Sequence, residues 1–193
     1  MFIQTEATPN PATLKFLPGK VVLDDGTADF REASAAREAS PLAGALFEVP
    51  GVTGVFFGYD FVTVTKQDGP DWQHLKPAIL GAIMEHFMSG LPVMARAGAA
   101  AAHAEESEGE EFYDKADEEL VLTIKELLDT RVRPAVAQDG GDITFRGYEN
   151  GTVFLHMKGA CAGCPSSTAT LKHGIQNLLR HFVPEVEHVE QIS

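Results

Sequence analysis

The fold is decided by residues 143–167, which read ITFRGYENGTVFLHMKGACAGCPSS. Alternating β-forming residues run over 143–149 and over 152–158, and the pair Asn150-Gly151 separates the two runs. Asn-Gly in this position is the strongest short-range signal of a tight β-hairpin. A loop of small residues containing Cys161 and Cys164 follows, and a helix is predicted from about Ser167. The stretch therefore predicts a hairpin that delivers two cysteines to the start of a helix.

One helix is predicted before this hairpin and one strand after it. Asp117 is a candidate N-cap of the preceding helix, and Pro134 is expected to limit its continuation. The last strand is predicted over 186–192. The residues expected to face the core are Leu120, Ile124, Leu127 and Leu128 on the first helix, and Leu171, Ile175, Leu178 and Phe182 on the helix after the cysteines.

The first half of the chain shows the pattern of an antiparallel sheet with helices. The predicted strands are Phe2–Glu6, Thr13–Leu17, Val52–Phe57 and Phe61–Lys66, and the predicted helices are Pro41–Glu48 and a longer one from Asp71 to about Met88. The long helix repeats apolar residues every four positions and is stopped by Gly90 and Pro92. These elements predict helices on one face of an antiparallel sheet.

Residues 95–110 separate the two halves, because they contain no large apolar side chain that could be buried in a core. We interpret them as a flexible tether. The predicted fold class is α+β, with two small α/β-sandwich domains joined by a flexible linker. The predicted bounds are 1–94 for the first domain, 95–111 for the Ala/Glu-rich linker and 112–193 for the second domain.

The charge and composition exclude several classes of protein. The formal net charge of −13 disfavours binding to nucleic acid, because the surface repels phosphate groups. No stretch is apolar enough to span a bilayer, so no membrane partner is expected. Residues 1–6 have neither the basic and apolar pattern of a signal peptide nor that of a transit peptide, which predicts a cytoplasmic protein.

Cys161 and Cys164 are the two cysteines of the chain. A pair with this spacing can be a redox couple, half of a four-ligand metal site or a local disulfide. Its place ahead of a helix favours the thiolate form, which suits both metal binding and disulfide exchange. The preceding hairpin and the following Pro165 are unlike a thioredoxin-type site, and a zinc site would need His173, His156 or a second chain. An inert buried pair is disfavoured by the neighbouring glycine and proline residues.

An iron–sulfur cluster usually takes four thiolates. One chain supplies two, so a four-thiolate cluster would have to bridge two chains. A cluster bound in that way is exposed at a subunit boundary and is held by few ligands. These properties suit transfer of the cluster more than its retention.

Other polar residues have simpler interpretations. Asp139 and Asp142, in the sequence DGGD, are interpreted as part of a turn in which glycine supplies a positive φ. His74 and His86 lie on the long helix of the first domain and are expected to be exposed or hydrogen-bonded. His173 could approach the cysteines, but an exposed helical histidine is the simpler expectation.

The chain resembles a known family along nearly its whole length. Residues 132–143, the hairpin and residues 159–167 (GACAGCPSS) resemble the C-terminal domain of NifU, the module of Nfu-type iron–sulfur carriers. Residues 5–16 (TEATPNPATLKF), 49–52 (VPGV) and 56–58 (FFG) resemble the N-terminal domain of Nfu proteins. The chain has neither the scaffold domain nor the ferredoxin-like domain of the NifU proteins of nitrogen fixation.

This resemblance implies a carrier and not an enzyme. A carrier of this family receives or assembles a [4Fe–4S] cluster and delivers it to apo-enzymes. Cys161 and Cys164 would be its iron ligands, and no residue would be catalytic. The expected partners are a second copy in a cluster-bound homodimer, an upstream scaffold as cluster donor and apo iron–sulfur enzymes as recipients. The alternative is a thiol–disulfide oxidoreductase that uses the same two cysteines.

Overall fold

The structure, a computed structural model, describes residues 1–95, 110–163 and 165–192. The chain forms two compact units, Met1–Glu108 and Gly109–Ser193, and each of them combines helices with a sheet. The α+β class with two domains is therefore confirmed. The finer bounds 1–94, 95–111 and 112–193 stay a prediction, because residues 96–109 lie outside the described part of the chain.

The first unit is built on a five-stranded antiparallel sheet. Its strands, in the sheet order β1-β2-β5-β4-β3, are β1 (Gln4–Ala7), β2 (Thr13–Leu17), β5 (Val62–Lys66), β4 (Val52–Phe57) and β3 (Ala28–Phe30). Four of these strands were predicted to within two residues at each end. The strand β3 was not predicted, because three residues are too few to show an alternating pattern.

Three helices pack against one face of this sheet. They are α1 (Ala33–Ala39), α2 (Pro41–Phe47) and α3 (Trp72–Ser89). The fully buried side chains of Leu42, Leu46, Ile79 and Ile83 meet strand residues such as Phe16 in one core. The short helix α1 was not predicted, because it buries one small residue, Ala36. The predicted arrangement of helices on one face of an antiparallel sheet is confirmed.

The second unit has a three-stranded sheet in the order β6-β7-β8. The strands are β6 (Gly141–Glu149), β7 (Thr152–Gly159) and β8 (His188–Ile192), and the helices are α4 (Glu118–Leu127), α5 (Arg133–Gln138) and α6 (Pro165–Phe182). β6 and β7 form the predicted antiparallel hairpin, with φ of 49° at Asn150 and 78° at Gly151. β8 pairs with β7 in parallel, so α6 is the crossover helix between them.

Two details of the predicted helices are wrong. Pro134 does not limit the helical run: a π-helical turn over Leu128–Val132 leads into α5, where Pro134 lies in the first turn and needs no hydrogen-bonding N–H. Phe182 is 45% exposed, and the Arg131 guanidinium lies 4.9 Å from the centre of its ring. The buried stripe of α6 instead continues through Leu179, four residues after Ile175.

No helix in the described part of the chain is long and apolar enough to cross a membrane.

Candidate functional site

Cys161 lies in the turn that joins β7 to α6. Gly159 ends β7 with a φ of 62°, and Gly163 has a φ of 81°, so the backbone reverses between two residues in the left-handed region. The Ala160 amide donates to the Gly140 carbonyl at 3.2 Å, and the Ala162 amide donates to the Gly159 carbonyl at 3.1 Å. The loop is therefore bonded both to itself and to the turn that precedes β6.

The Cys161 side chain points into the core of the second unit. It is 6% exposed and packs in the same cluster as Ile143 and Ile175. A Cβ built on Gly141 would lie 2.5 Å from the Cys161 sulfur, so residue 141 has room for no side chain. The Thr168 hydroxyl donates to the Cys161 carbonyl at 3.0 Å and fixes the loop to the first turn of α6. Cys161 is a free thiol.

The surroundings of Cys161 disfavour its thiolate. Burial, and after it the negative charges of Asp139 and Asp142, raises the pKa of the Cys161 thiol to about 12. The expectation that the position ahead of a helix favours the thiolate does not hold for Cys161, because burial and two carboxylates raise the pKa of its thiol. Cys161 is protonated at neutral pH in this conformation.

Cys164 lies outside the described residues. The assignment of Cys161 and Cys164 as iron ligands therefore remains a prediction.

The DGGD sequence forms the predicted turn. Asp139 is the C-terminal cap residue of α5, Gly140 has a φ of 83° and Gly141 begins β6. Asp142, whose side chain is 7% exposed, accepts two hydrogen bonds from Arg133, at 2.9 Å and 2.8 Å. One of its oxygens also accepts the Ile143 amide at 2.8 Å. These contacts hold the start of α5 against the strand that packs on Cys161.

Sequence reasoning missed the pairing of Arg133 with Asp142. A basic residue near the end of a helix is ordinarily explained by the helix dipole, which gives no hint of a partner on β6. Arg133 also binds Asp129 at 3.2 Å, and the two carboxylates raise the pKa of its guanidinium. The signal that could have found the pair was an arginine nine residues before a buried strand aspartate.

The two histidines considered as zinc ligands lie on different elements of the second unit. His156 lies on β7, with its Nδ1 3.5 Å from a guanidinium nitrogen of Arg146. His173 is exposed on α6, beside a groove that Gly163 and Lys172 also line. In the described ranges no group of three His, Cys, Asp or Glu side chains could hold a metal ion.

Comparison with family models covers both units. The model described as "Scaffold protein Nfu/NifU N terminal" matches residues 3–90, and the model described as "NifU-like domain" matches residues 124–190. A solution NMR structure of a NifU-like protein from Saccharomyces cerevisiae is 26% identical and covers 50% of this chain and 86% of that one, with a TM-score of 0.45.

Curated relatives match the chain from end to end. The protein named "NFU1 iron-sulfur cluster scaffold homolog, mitochondrial" is 53% identical over 193 residues in Drosophila erecta, where the chain covers 65% of its length. The human protein of the same name is 52% identical, and the chain covers 72% of it. The chain thus spans about two thirds of the length of these relatives.

The prediction of a cytoplasmic protein is wrong on this comparison. The relatives are named as mitochondrial, which points to that compartment. The prediction depended on the composition of residues 1–6, and the composition of so few residues does not determine a compartment.

Proposed function

The chain belongs to the Nfu family, and from that premise we propose that it is an iron–sulfur cluster carrier. Its cargo is a [4Fe–4S] cluster, bound by Cys161 and Cys164 of two copies. It receives the cluster from an upstream scaffold and delivers it to apo-enzymes. Its role is binding and transfer, without catalysis.

The number of available ligands supports a site shared by two chains. A [4Fe–4S] cluster takes four thiolates, and each chain offers two. Among the described residues, no group of three or more His, Cys, Asp or Glu side chains could hold a metal ion. Two copies facing each other through the turn at residues 160–163 would complete the set of four thiolates. Their contact would be isologous, and the iron–sulfur bonds would provide most of its strength.

The state of Cys161 supports a cargo that is bound reversibly. The sulfur is buried and protonated, so loading requires that the turn opens and that the thiol loses its proton. Both changes cost free energy, which weakens the hold on the cluster. Because the Cys161 side chain packs in the core, the protein without a cluster has a stable closed conformation to which it returns after transfer.

The same observation argues against the oxidoreductase alternative. A thiol that attacks disulfides needs a low pKa and solvent access. Cys161 has a raised pKa and almost no exposure. Nothing in the described geometry favours that chemistry for Cys161.

We infer that the first domain, over about residues 1–94, recognises partners or controls access to the cluster. It contains no cysteine, so it supplies no thiolate. The predicted linker at 95–111 would then connect this domain to the cluster-binding domain at 112–193.

The observation that carries the proposal is the spacing of Cys161 and Cys164 in the sequence, with Cys161 in the turn after β7. The test is anaerobic reconstitution with iron and sulfide. We expect broad absorbance near ~400 nm and about two irons per chain. Light scattering during anaerobic chromatography should show a dimer when the cluster is bound and a monomer after chelation. A monomer that retains four irons would contradict the bridged site. A colourless protein that reduces insulin disulfides would support the oxidoreductase instead.

A further inference from the structure

The groove between α2 and α3 is a feature of the first unit that the cysteine site does not use. It has a volume of about 660 Å³ and is lined by residues of both helices. Small residues form much of its surface, among them Ala45 on α2 and Gly81 and Ala82 on α3. Small side chains let the backbone of another helix approach closely, so the groove has room for an added helix.

His86 gives the groove an unsatisfied polar group. Its side chain is 6% exposed, and its Nε2 atom is buried without a hydrogen-bond partner, the one such side-chain nitrogen or oxygen among the residues that the structure describes. A buried polar atom of this kind is costly to leave unpaired. Burial also lowers the pKa of His86, so the ring is neutral at pH 7. Nε2 has almost no accessible surface, so the ring must turn towards the groove before a hydroxyl there could donate to Nε2 or accept from it, whichever tautomer is present.

The rim of the groove is acidic and apolar. Glu48 and Glu85 line it, and Leu91 at its end is exposed. Met88, 76% exposed, and Met84 line an adjoining groove that shares Gly81 and Glu85. Methionine side chains adapt their shape to a partner. The acidic side chains favour a partner with basic residues and oppose a second copy of a chain with a net charge of −13.

We propose that the groove between α2 and α3 binds an amphipathic helix of a partner protein, with a small hydroxyl side chain at its centre and lysine or arginine at its ends. The imidazole of His86 turns so that its Nε2 pairs with the central hydroxyl, and the basic ends meet Glu48 and Glu85. The assignment of this partner to cluster donors or recipients rests on the proposed carrier function. The binding itself does not.

The variant Gly81→Leu tests the proposal in the full chain. No atom lies within 4 Å of a Cβ built at Gly81, so leucine fits the folded protein while it projects into the space that the helix needs. Gly174 on α6 is also open within 4 Å, so Gly174→Leu is the matched control in the other unit. The probe is a fluorescent 20-residue synthetic helix with a Leu/Ala face, a central Ser and Lys at both ends. A twin peptide carries Glu in place of Lys.

We expect saturable binding of the lysine peptide and a shift of the His86 Nε2 resonance in ¹⁵N NMR. Gly81→Leu should weaken the affinity about tenfold or more, while Gly174→Leu should leave it unchanged. The glutamate twin should not bind. Equal affinity for wild-type and Gly81→Leu, equal affinity for both peptides, no saturable binding, or self-association of the chain through this face would each overturn the proposal. Because the assay contains no iron, these outcomes are separate from those of the reconstitution test.

Discussion

Gly141 lies directly against Cys161: a Cβ on residue 141 would be 2.5 Å from the Cys161 sulfur and 2.7 Å from the Lys158 carbonyl oxygen. Rotation of the sulfur can relieve one of these contacts, but the carbonyl belongs to the paired strand β7. Strand pairing and the position of the candidate ligand are therefore linked through one glycine.

Gly141→Ala is expected to lower the stability of the second unit. The added methyl group should cost about 1–3 kcal/mol through strain in a packed core. It should also push the Cys161 sulfur outward, so that the thiol reacts faster with a disulfide reagent. Urea unfolding and thiol titration measure the two effects. The control is Gly174→Ala, whose added carbon meets no atom within 4 Å.

Alkylation of Cys161 is expected to depend on pH in an unusual way. The reactive form is the thiolate, and the pKa of about 12 keeps its fraction very small at pH 8. The rate in the folded apo-protein should rise roughly tenfold per pH unit beyond pH 9, where an ordinary thiol already levels off. Fragment-ion mass spectrometry, which separates a label on Cys161 from one on Cys164, follows the rate, with urea-unfolded protein as reference. A plateau near pH 8.5 in the folded protein would show that the sulfur is not buried in solution.

Substitution of either cysteine is expected to abolish cluster binding. Cys161→Ser and Cys164→Ser each replace a thiolate with a poor iron ligand, and the iron content should fall from about two per chain to near zero. Sequence reasoning placed both cysteines outside the core, but Cys161 is buried. Cys161→Ser should therefore also cost stability, of the order of 1 kcal/mol for a buried hydroxyl. Either variant with full iron and sulfide would remove that cysteine from the ligand set.

Arg133→Ala is expected to destabilise the second unit strongly. It leaves the buried Asp142 carboxylate without the two hydrogen bonds from the guanidinium. Because Arg133 is partly exposed, we expect a loss of about 2–3 kcal/mol, less than for a fully buried pair. Arg131→Ala serves as the control, since its guanidinium contacts the exposed ring of Phe182. Equal effects of the two substitutions in urea unfolding would contradict this account.

The stability of the first unit is expected to fall below pH 6.5 because of His86. Burial lowers the pKa of His86 in the folded state from its usual 6.5, so the unfolded chain takes up a proton first as the pH falls. The contribution of neutral His86 to the free energy of unfolding is fully present above pH 6.5. It is lost as the pH falls towards the pKa of His86 in the folded state. His86→Leu should remove this part of the pH dependence, and His74→Leu should not. Trp72, the sole tryptophan of the chain, reports unfolding of this unit by fluorescence.

Elements defined by local patterns were predictable from the sequence. The hairpin around Asn150 and Gly151 and the strands β2 and β4 follow from residue alternation and turn chemistry within a few positions. The environment of Cys161 was not predictable, because it depends on Asp139, Asp142 and Gly141, which strand pairing brings close to the sulfur. The buried His86 was missed because a shift of one residue on α3 exchanges an exposed position for a buried one.

The parallel pairing of β7 with β8 has a consequence for how the second unit folds. The β6–β7 hairpin joins neighbours across a two-residue turn, whereas β8 reaches β7 only after the whole of α6 has intervened. Local contacts form faster than distant ones, so we expect the hairpin to form first during synthesis. Gly141 is paired with Gly159 in that hairpin. We therefore expect the turn at residues 160–163 to be positioned at the end of the hairpin before β8 pairs with β7.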